Sequence, residues 1–190
     1  MNDEPAALQR WGFAFPGRLR DELTALALAG TKTTTAGLLV EMELDGEAVP
    51  EPGERSVLLD SGERPVAIVE TVACRVVRLA DVDDRHAIDE GEGYANATEF
   101  RGAHERFWNG YLEDLRERLG DPSFSITDDT LISAERFRVV TRLDTPPSAK
   151  RDQSIGAMSV AGDACAGSAF ATRGSGSIAG SSTGTSGSGA

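Results

Sequence analysis

Apolar residues recur along this chain with two periods, and each period marks a kind of element. Leu19, Leu23 and Leu26 fall at i, i+4 and i+7, the buried face of a helix over residues 18–29 that Gly30 ends with a left-handed cap. A longer stripe, Phe100, His104, Phe107, Trp108, Tyr111, Leu112, Leu115 and Leu119, predicts one further helix, capped by Asn96 with Glu99 and stopped at Gly120. Its aromatics match the helical period and are expected to pack rather than to stack on bases. Strands are predicted at 56–60, at 65–79 with a bend or bulge, and at 131–141, with Ser61-Gly62-Glu63 turning between the first two. Residues 38–44 fit either period. Asp81 followed by Val82-Asp83-Asp84 reads as the cap of a short helix that stops at Gly91. Long strands with helices at their ends suit an α+β fold built on a small mixed barrel, with Trp11, Phe13 and Phe15 closing one end.

From Ser148 onward both periods vanish. Of those 43 residues, 28 are Gly, Ser or Ala, too little apolar surface to offset the entropy of ordering them. The expected organisation is therefore a flexible start over 1–10, one domain over 11–147, and a disordered tail over 148–190 entered through Pro146-Pro147. The chain carries a net charge of −12, and the tail's three basic and two acidic residues leave 16 basic against 29 acidic before it. Gripping duplex DNA or a long RNA needs a basic stripe, and none is visible. A nucleoside or a short single-stranded RNA remains, because stacking one base does not depend on net charge. No segment has the apolar core of a signal peptide and none approaches the ~20 apolar residues of a membrane span, so a cytoplasmic protein without a membrane partner is expected. Cys74 and Cys165 are then reduced thiols. His86 and His104 are too few to argue for a metal, and no cofactor is expected.

Candidate chemistry lies in two segments. Gly30-Thr31-Lys32-Thr33-Thr34-Thr35 sets one lysine beside hydroxyls just after the first helix. In a regular strand Lys32 and Thr34 share a face, whereas a bend brings Lys32 to Thr35. The plain alternative is that Lys32 neutralises the helix's negative end. In His86-Ala87-Ile88-Asp89-Glu90-Gly91-Glu92-Gly93, Asp89 and Glu90 fall at the negative end of the short helix, where the exposed carbonyls repel carboxylates and would raise the pKa of Glu90. The alternative there is a solvated acidic turn.

Together these segments resemble the ASCH domain family, a branch of the PUA-like β-barrels associated with RNA. The matching residues are Phe13-Ala14-Phe15, Asp21-Glu22-Leu23, Gly30-x-Lys32-Thr33-x-Thr35, Pro52-Gly53, Ala87-x-x-Glu90-Gly91-Glu92-Gly93, Arg101-x-x-His104 and Glu135-x-Phe137-x-Val139-Val140. Tyr94 stands where an aspartate is usual, and Phe100 where a tryptophan is common. Within that superfamily the small bacterial N4-acetylcytidine amidohydrolases are similar at Lys32, Thr35 and Glu90. The resemblance implies a hydrolytic site with Thr35 as nucleophile, Lys32 as its base and Glu90 as proton donor or orienter, and a ligand cleft with Phe15, Thr33, Thr34, Tyr94, Arg101 and His104 as candidate substrate-binding residues. A base must be neutral, and lysine titrates near ~10.4, so burial would have to lower it while a neighbouring carboxylate would hold the proton on. Lys32 thus stands as base or as clamp for a carbonyl oxyanion. The functions to distinguish are an amidohydrolase acting on a modified nucleoside, a non-catalytic module binding single-stranded RNA, and a ribonuclease.

Overall fold

The computed structural model describes residues 4–143 and the backbone of 171–174. β1 (Gln9–Phe13) begins just before the expected domain start. α1 (Arg18–Ala29) follows, ending at Gly30, whose φ of 78° lets its N–H reach the carbonyl of Ala27. β2 (Thr34–Leu38) runs directly into α2 (Leu39–Asp45), so the ambiguous stretch 38–44 is helical apart from Leu38. β3 (Arg55–Leu59), β4 (Pro65–Arg78) and β5 (Leu131–Arg142) lie where the alternation predicts them.

Together they make a mixed sheet in the order β2-β5-β4-β3-β1, with β1 parallel to β3 and the remaining pairs in that series antiparallel. Its strands curl into a half-barrel. Register shifts between β4 and β5 at Ile68/Val69 and Thr71/Ala73 supply the expected bend, since an extra residue on one strand sharpens the local twist. A short strand, β6 (Ala171–Gly174), pairs antiparallel with β1. It falls within the tail expected to be disordered, and it covers the outer edge of β1, whose backbone groups would otherwise be open to pairing. The rest of that tail, including Cys165, lies outside the described residues.

Two helix expectations need correction. The long aromatic stripe is carried by two helices, α4 (Ala97–Asn109) and α5 (Leu112–Leu119), because Tyr111 leaves helical geometry with φ −131° and ψ 23° just after Gly110, a weak helix former. The short helix, α3 (Asp84–Asp89), starts later than expected and is capped by Asp83, whose carboxylate accepts the His86 N–H at 2.8 Å, while Leu79–Asp81 is a separate 3-10 turn.

Apolar faces meet in two cores. Inside the half-barrel Trp11, Phe13 and Phe137 stand edge-on or tilted at 4.8–5.8 Å, with Leu23 and Ala27 of α1 behind them. Phe100, Trp108 and Leu115 fill the second core against Leu38 and Ile132 on the other face of the sheet. Trp11 and Phe13 are buried as expected, but Phe15 is 54% exposed and closes nothing. It lies against Phe107 and Tyr111. The chain turns away after β1 at Ala14, φ 45°, held there by the buried Arg20 guanidinium, which donates to the carbonyls of Phe13 at 2.8 Å and Ala14 at 2.7 Å.

Candidate functional site

The end of α1 and the end of α3 are stitched together by backbone. Thr33 N–H donates to Asp89 O at 2.8 Å, and the Thr33 and Thr34 hydroxyls donate to Asp89 O at 3.3 Å and His86 O at 2.8 Å. The bonds to Asp89 O satisfy a carbonyl that the last turn of α3 cannot use itself, whereas His86 O also accepts the Glu90 N–H at 3.1 Å. Gly91 completes the junction: its φ is +70°, and a Cβ there would lie 2.5 Å from Thr31 O and 2.9 Å from Lys32 N. Only glycine fits.

This close approach delivers Lys32 to two carboxylates. Its ammonium donates to Glu90 Oε2 at 3.0 Å and Glu92 Oε1 at 2.7 Å, and stands 5.4 Å from the Phe13 ring centroid. The side chains of Lys32 and Glu90 are fully buried and that of Glu92 is 5% exposed. Tyr94, at the position where aspartate is usual, donates its hydroxyl to Glu92 Oε2 at 3.1 Å. Glu90 Oε1 faces His86 Nε2 at 3.7 Å and His104 Nε2 at 3.8 Å, too far for hydrogen bonds.

Burial by itself favours the neutral amine at Lys32, but the adjacent charge of Glu90, then that of Glu92, outweighs it and raises its pKa above the ordinary lysine value. Lys32 is an ammonium here. Burial likewise works against ionising Glu90, yet Lys32 wins and holds it below the carboxylate range, which reverses the upward shift expected from the end of α3. One ammonium cannot ionise two enclosed carboxyls. Glu92, desolvated and next to the Glu90 charge, is pushed up to about 8. The arrangement thus favours ionisation of Glu90 and disfavours that of Glu92. His104 is lowered to about 4, chiefly by burial, so it is neutral, with Nδ1–H donating to Phe100 O at 2.9 Å.

A stability signature follows. Glu92 keeps its proton in the folded state between about pH 4.5 and 8 while the unfolded chain releases it, so the folded form binds more protons and its stability declines as pH rises through that window. Glu92→Gln should remove the decline: the stability difference between variant and wild type should shift in the variant's favour by on the order of 1–3 kcal/mol from pH 6 to pH 8 in urea unfolding. A difference that does not change with pH would show that Glu92 is ionised throughout.

The remaining candidate residues are not all brought together. Thr35 lies on the inner face of β2 opposite Glu135, lining a void of about 10 Å³ with Trp11 and Ser133, and its hydroxyl has no hydrogen-bond partner. It is bonded neither to Lys32 nor to Glu90. Arg101 is held by Glu105 and Asp128. Phe15 packs on α4 and the start of α5, as above, and the hydroxyls of Thr33 and Thr34 are committed to α3. His104 and Tyr94 do line the cluster, with the Phe100 ring 3.7 Å from the His104 ring. Two residues that the sequence reading gave no role stand out: Glu92, and Arg106, which share a cleft of about 370 Å³ along α4. Glu92 was legible within the Glu-Gly-Glu-Gly run; Arg106 had no signal beyond its charge. Among the described residues no group of His, Cys, Asp and Glu is arranged to hold a metal ion, and no helix is long and apolar enough to cross a membrane.

A family model described as "ASCH domain" matches residues 9–141. Among solved structures, the chain is similar to protein EF3133 from Enterococcus faecalis V583, at 23% identity and a TM-score of 0.59, covering 69% of this chain and 75% of that one. It is also similar to an ASCH domain from Lactobacillus crispatus JV V101, at 22% identity and a TM-score of 0.57, covering 68% and 77%. At these identities the likeness shows the fold. No curated protein matches the chain.

Proposed function

The chain belongs to the ASCH domain family, a PUA-like fold, and from that premise we propose that the Lys32–Glu90–Glu92 cluster serves a small nucleoside-type ligand and hydrolyses an exocyclic amide on it, such as that of N4-acetylcytidine. The observation that carries the reading is the geometry of the cluster: an enclosed ammonium 3.0 Å from one enclosed carboxyl and 2.7 Å from a second, with the second, Glu92, bordering the cleft along α4. Burying charges costs stability, and proteins keep such perturbed groups where chemistry uses them.

In this reading Lys32 polarises the amide carbonyl instead of acting as a base. Water attacks the carbonyl carbon and gives a proton to the Glu90 carboxylate; the C–N bond breaks as Glu92 gives its proton to the departing amine. The proton then passes from Glu90 back to Glu92, whose carboxyl shares the Lys32 ammonium with it. The products are the free nucleoside and acetic acid. Thr35 as nucleophile, the role implied by the family resemblance, would require its hydroxyl to reach the same carbonyl.

The test is turnover of N4-acetylcytidine by the full chain. Lys32→Met and Glu92→Gln should each lower kcat by about 10²–10³, and Thr35→Val should leave it within a few-fold. A Thr35→Val loss as large as that of Lys32→Met would restore Thr35 as nucleophile. A second reading, binding of a base without turnover, is favoured by one observation: the Thr35 hydroxyl has no partner and Lys32 is fully engaged by carboxylates. Saturable binding of the nucleoside or of a short single-stranded RNA with no deacetylation would select it.

A further inference from the structure

Arg106 is an exception to the way this protein uses its cations. Acidic residues exceed basic ones by twelve, and nearly every other arginine of the described residues finds a carboxylate, as Arg20 does at Glu63, Arg78 at Asp81 and Asp129, and Arg136 at Asp89. Arg142 instead donates to Leu28 O. Arg106 alone among the described arginines and lysine makes neither an ion pair nor a hydrogen bond with its side chain. The reason is where α4 points it. Thr98, Gly102 and Arg106 are spaced four apart on one line of the helix, which forms a wall of the cleft, and the floor includes Glu92 and Tyr94. The guanidinium lies back over Gly102, where an added Cβ would meet Arg106 Nη1 at 3.4 Å. A larger residue there would crowd the guanidinium and fill the groove. Glu99, the other charged group on the wall, has its Oε2 engaged by the Ala95 N–H at 2.9 Å.

We propose that Arg106 is the anion-binding residue of this cleft, and that its ligand is a nucleoside monophosphate whose phosphate lies on Arg106 while its base end faces Glu92 and Tyr94. The assignment rests on the nucleoside reading of the cluster and adds the substrate class to it. A guanidinium presents paired N–H donors to two oxygens of a phosphate at once, a geometry that an ammonium cannot copy. The Thr98 hydroxyl on the same wall offers a further donor. Burial raises the pKa of Glu92, which lessens its repulsion of an incoming anion. A single arginine also reconciles phosphate recognition with an acidic protein: it grips one phosphate and cannot follow a strand, since a strand needs many such contacts.

Isothermal titration of the full chain with cytidine, cytidine 5′-monophosphate and cytidine 3′-monophosphate tests this. One of the two monophosphates should bind at least about tenfold more tightly than cytidine, with the advantage shrinking as salt rises. Arg106→Gln should erase the advantage and leave cytidine binding unchanged; Arg106→Lys should keep only part of it. Inorganic phosphate should displace the monophosphate from wild type at concentrations that leave cytidine bound. Cytidine bound with no preference for either monophosphate, or a preference that survives Arg106→Gln, overturns this assignment and leaves the nucleoside reading standing. Absence of binding by all three ligands overturns this assignment, and the nucleoside reading falls with it only if N4-acetylcytidine is neither bound nor turned over.

Discussion

Lys32→Met is expected to lower the free energy of unfolding by about 3–5 kcal/mol, because it strands a buried carboxylate whose counter-charge has been removed. Methionine nearly fills the space of the lysine stem, so the loss measures charge rather than volume. Glu90 gives up its ion pair, and with Glu92 beside it at essentially zero exposure neither carboxyl can ionise cheaply. Glu90 should then take up a proton at far higher pH than in wild type, so that the destabilisation is largest above neutrality and shrinks in acid, where both states of the protein carry protonated carboxyls. Adding Glu90→Gln to Lys32→Met should recover at least about 1 kcal/mol, since no uncompensated charge remains. Denaturant midpoints at pH 5 and pH 8 for the single and double variants check the whole set. A single-variant loss below about 1 kcal/mol at pH 8 would mean that Lys32 and Glu90 do not form a charged pair.

The second large effect belongs to a residue without a side chain. Gly91→Ala should cost about 3 kcal/mol or more, combining a left-handed conformation that alanine resists by roughly 1–2 kcal/mol with contact against backbone that cannot rotate away. Thr31 O, at 2.5 Å from the new Cβ, is part of the turn that carries Lys32, so the segment from Glu90 to Glu92 must move off the lysine. Gly93 supplies the control. Its φ is +95°, yet nothing lies within 4 Å of an added Cβ, so Gly93→Ala should cost only the conformational share, about 1–2 kcal/mol. Equal losses at the two positions in chemical unfolding would show that the close approach at Gly91 does not hold the cluster together.

Much of the scaffold was legible in the chain itself. Leu19, Leu23 and Leu26 mark α1, Gly30 its end, and the alternating runs mark β3, β4 and β5, because backbone geometry and period are local properties that a short window expresses. The break between α4 and α5 was not, since Tyr111 continues the apolar stripe while its backbone leaves the helix. Lys32 and Glu90 were identifiable as partners only through a family resemblance, and Thr35 was grouped with them although it faces another cavity.

Sequence alone determined which residues could bear charge and which faces would be apolar. Tertiary structure decided how the charges are used. Lys32 and Glu92 are 60 positions apart and meet only because Gly91 lets two chain segments touch. The raised pKa of Glu92, the ammonium at Lys32 and the unmatched charge of Arg106 all follow from which groups lie within a few ångströms after folding, and electrostatic energy at that range depends on distance and burial, which no local window of sequence contains.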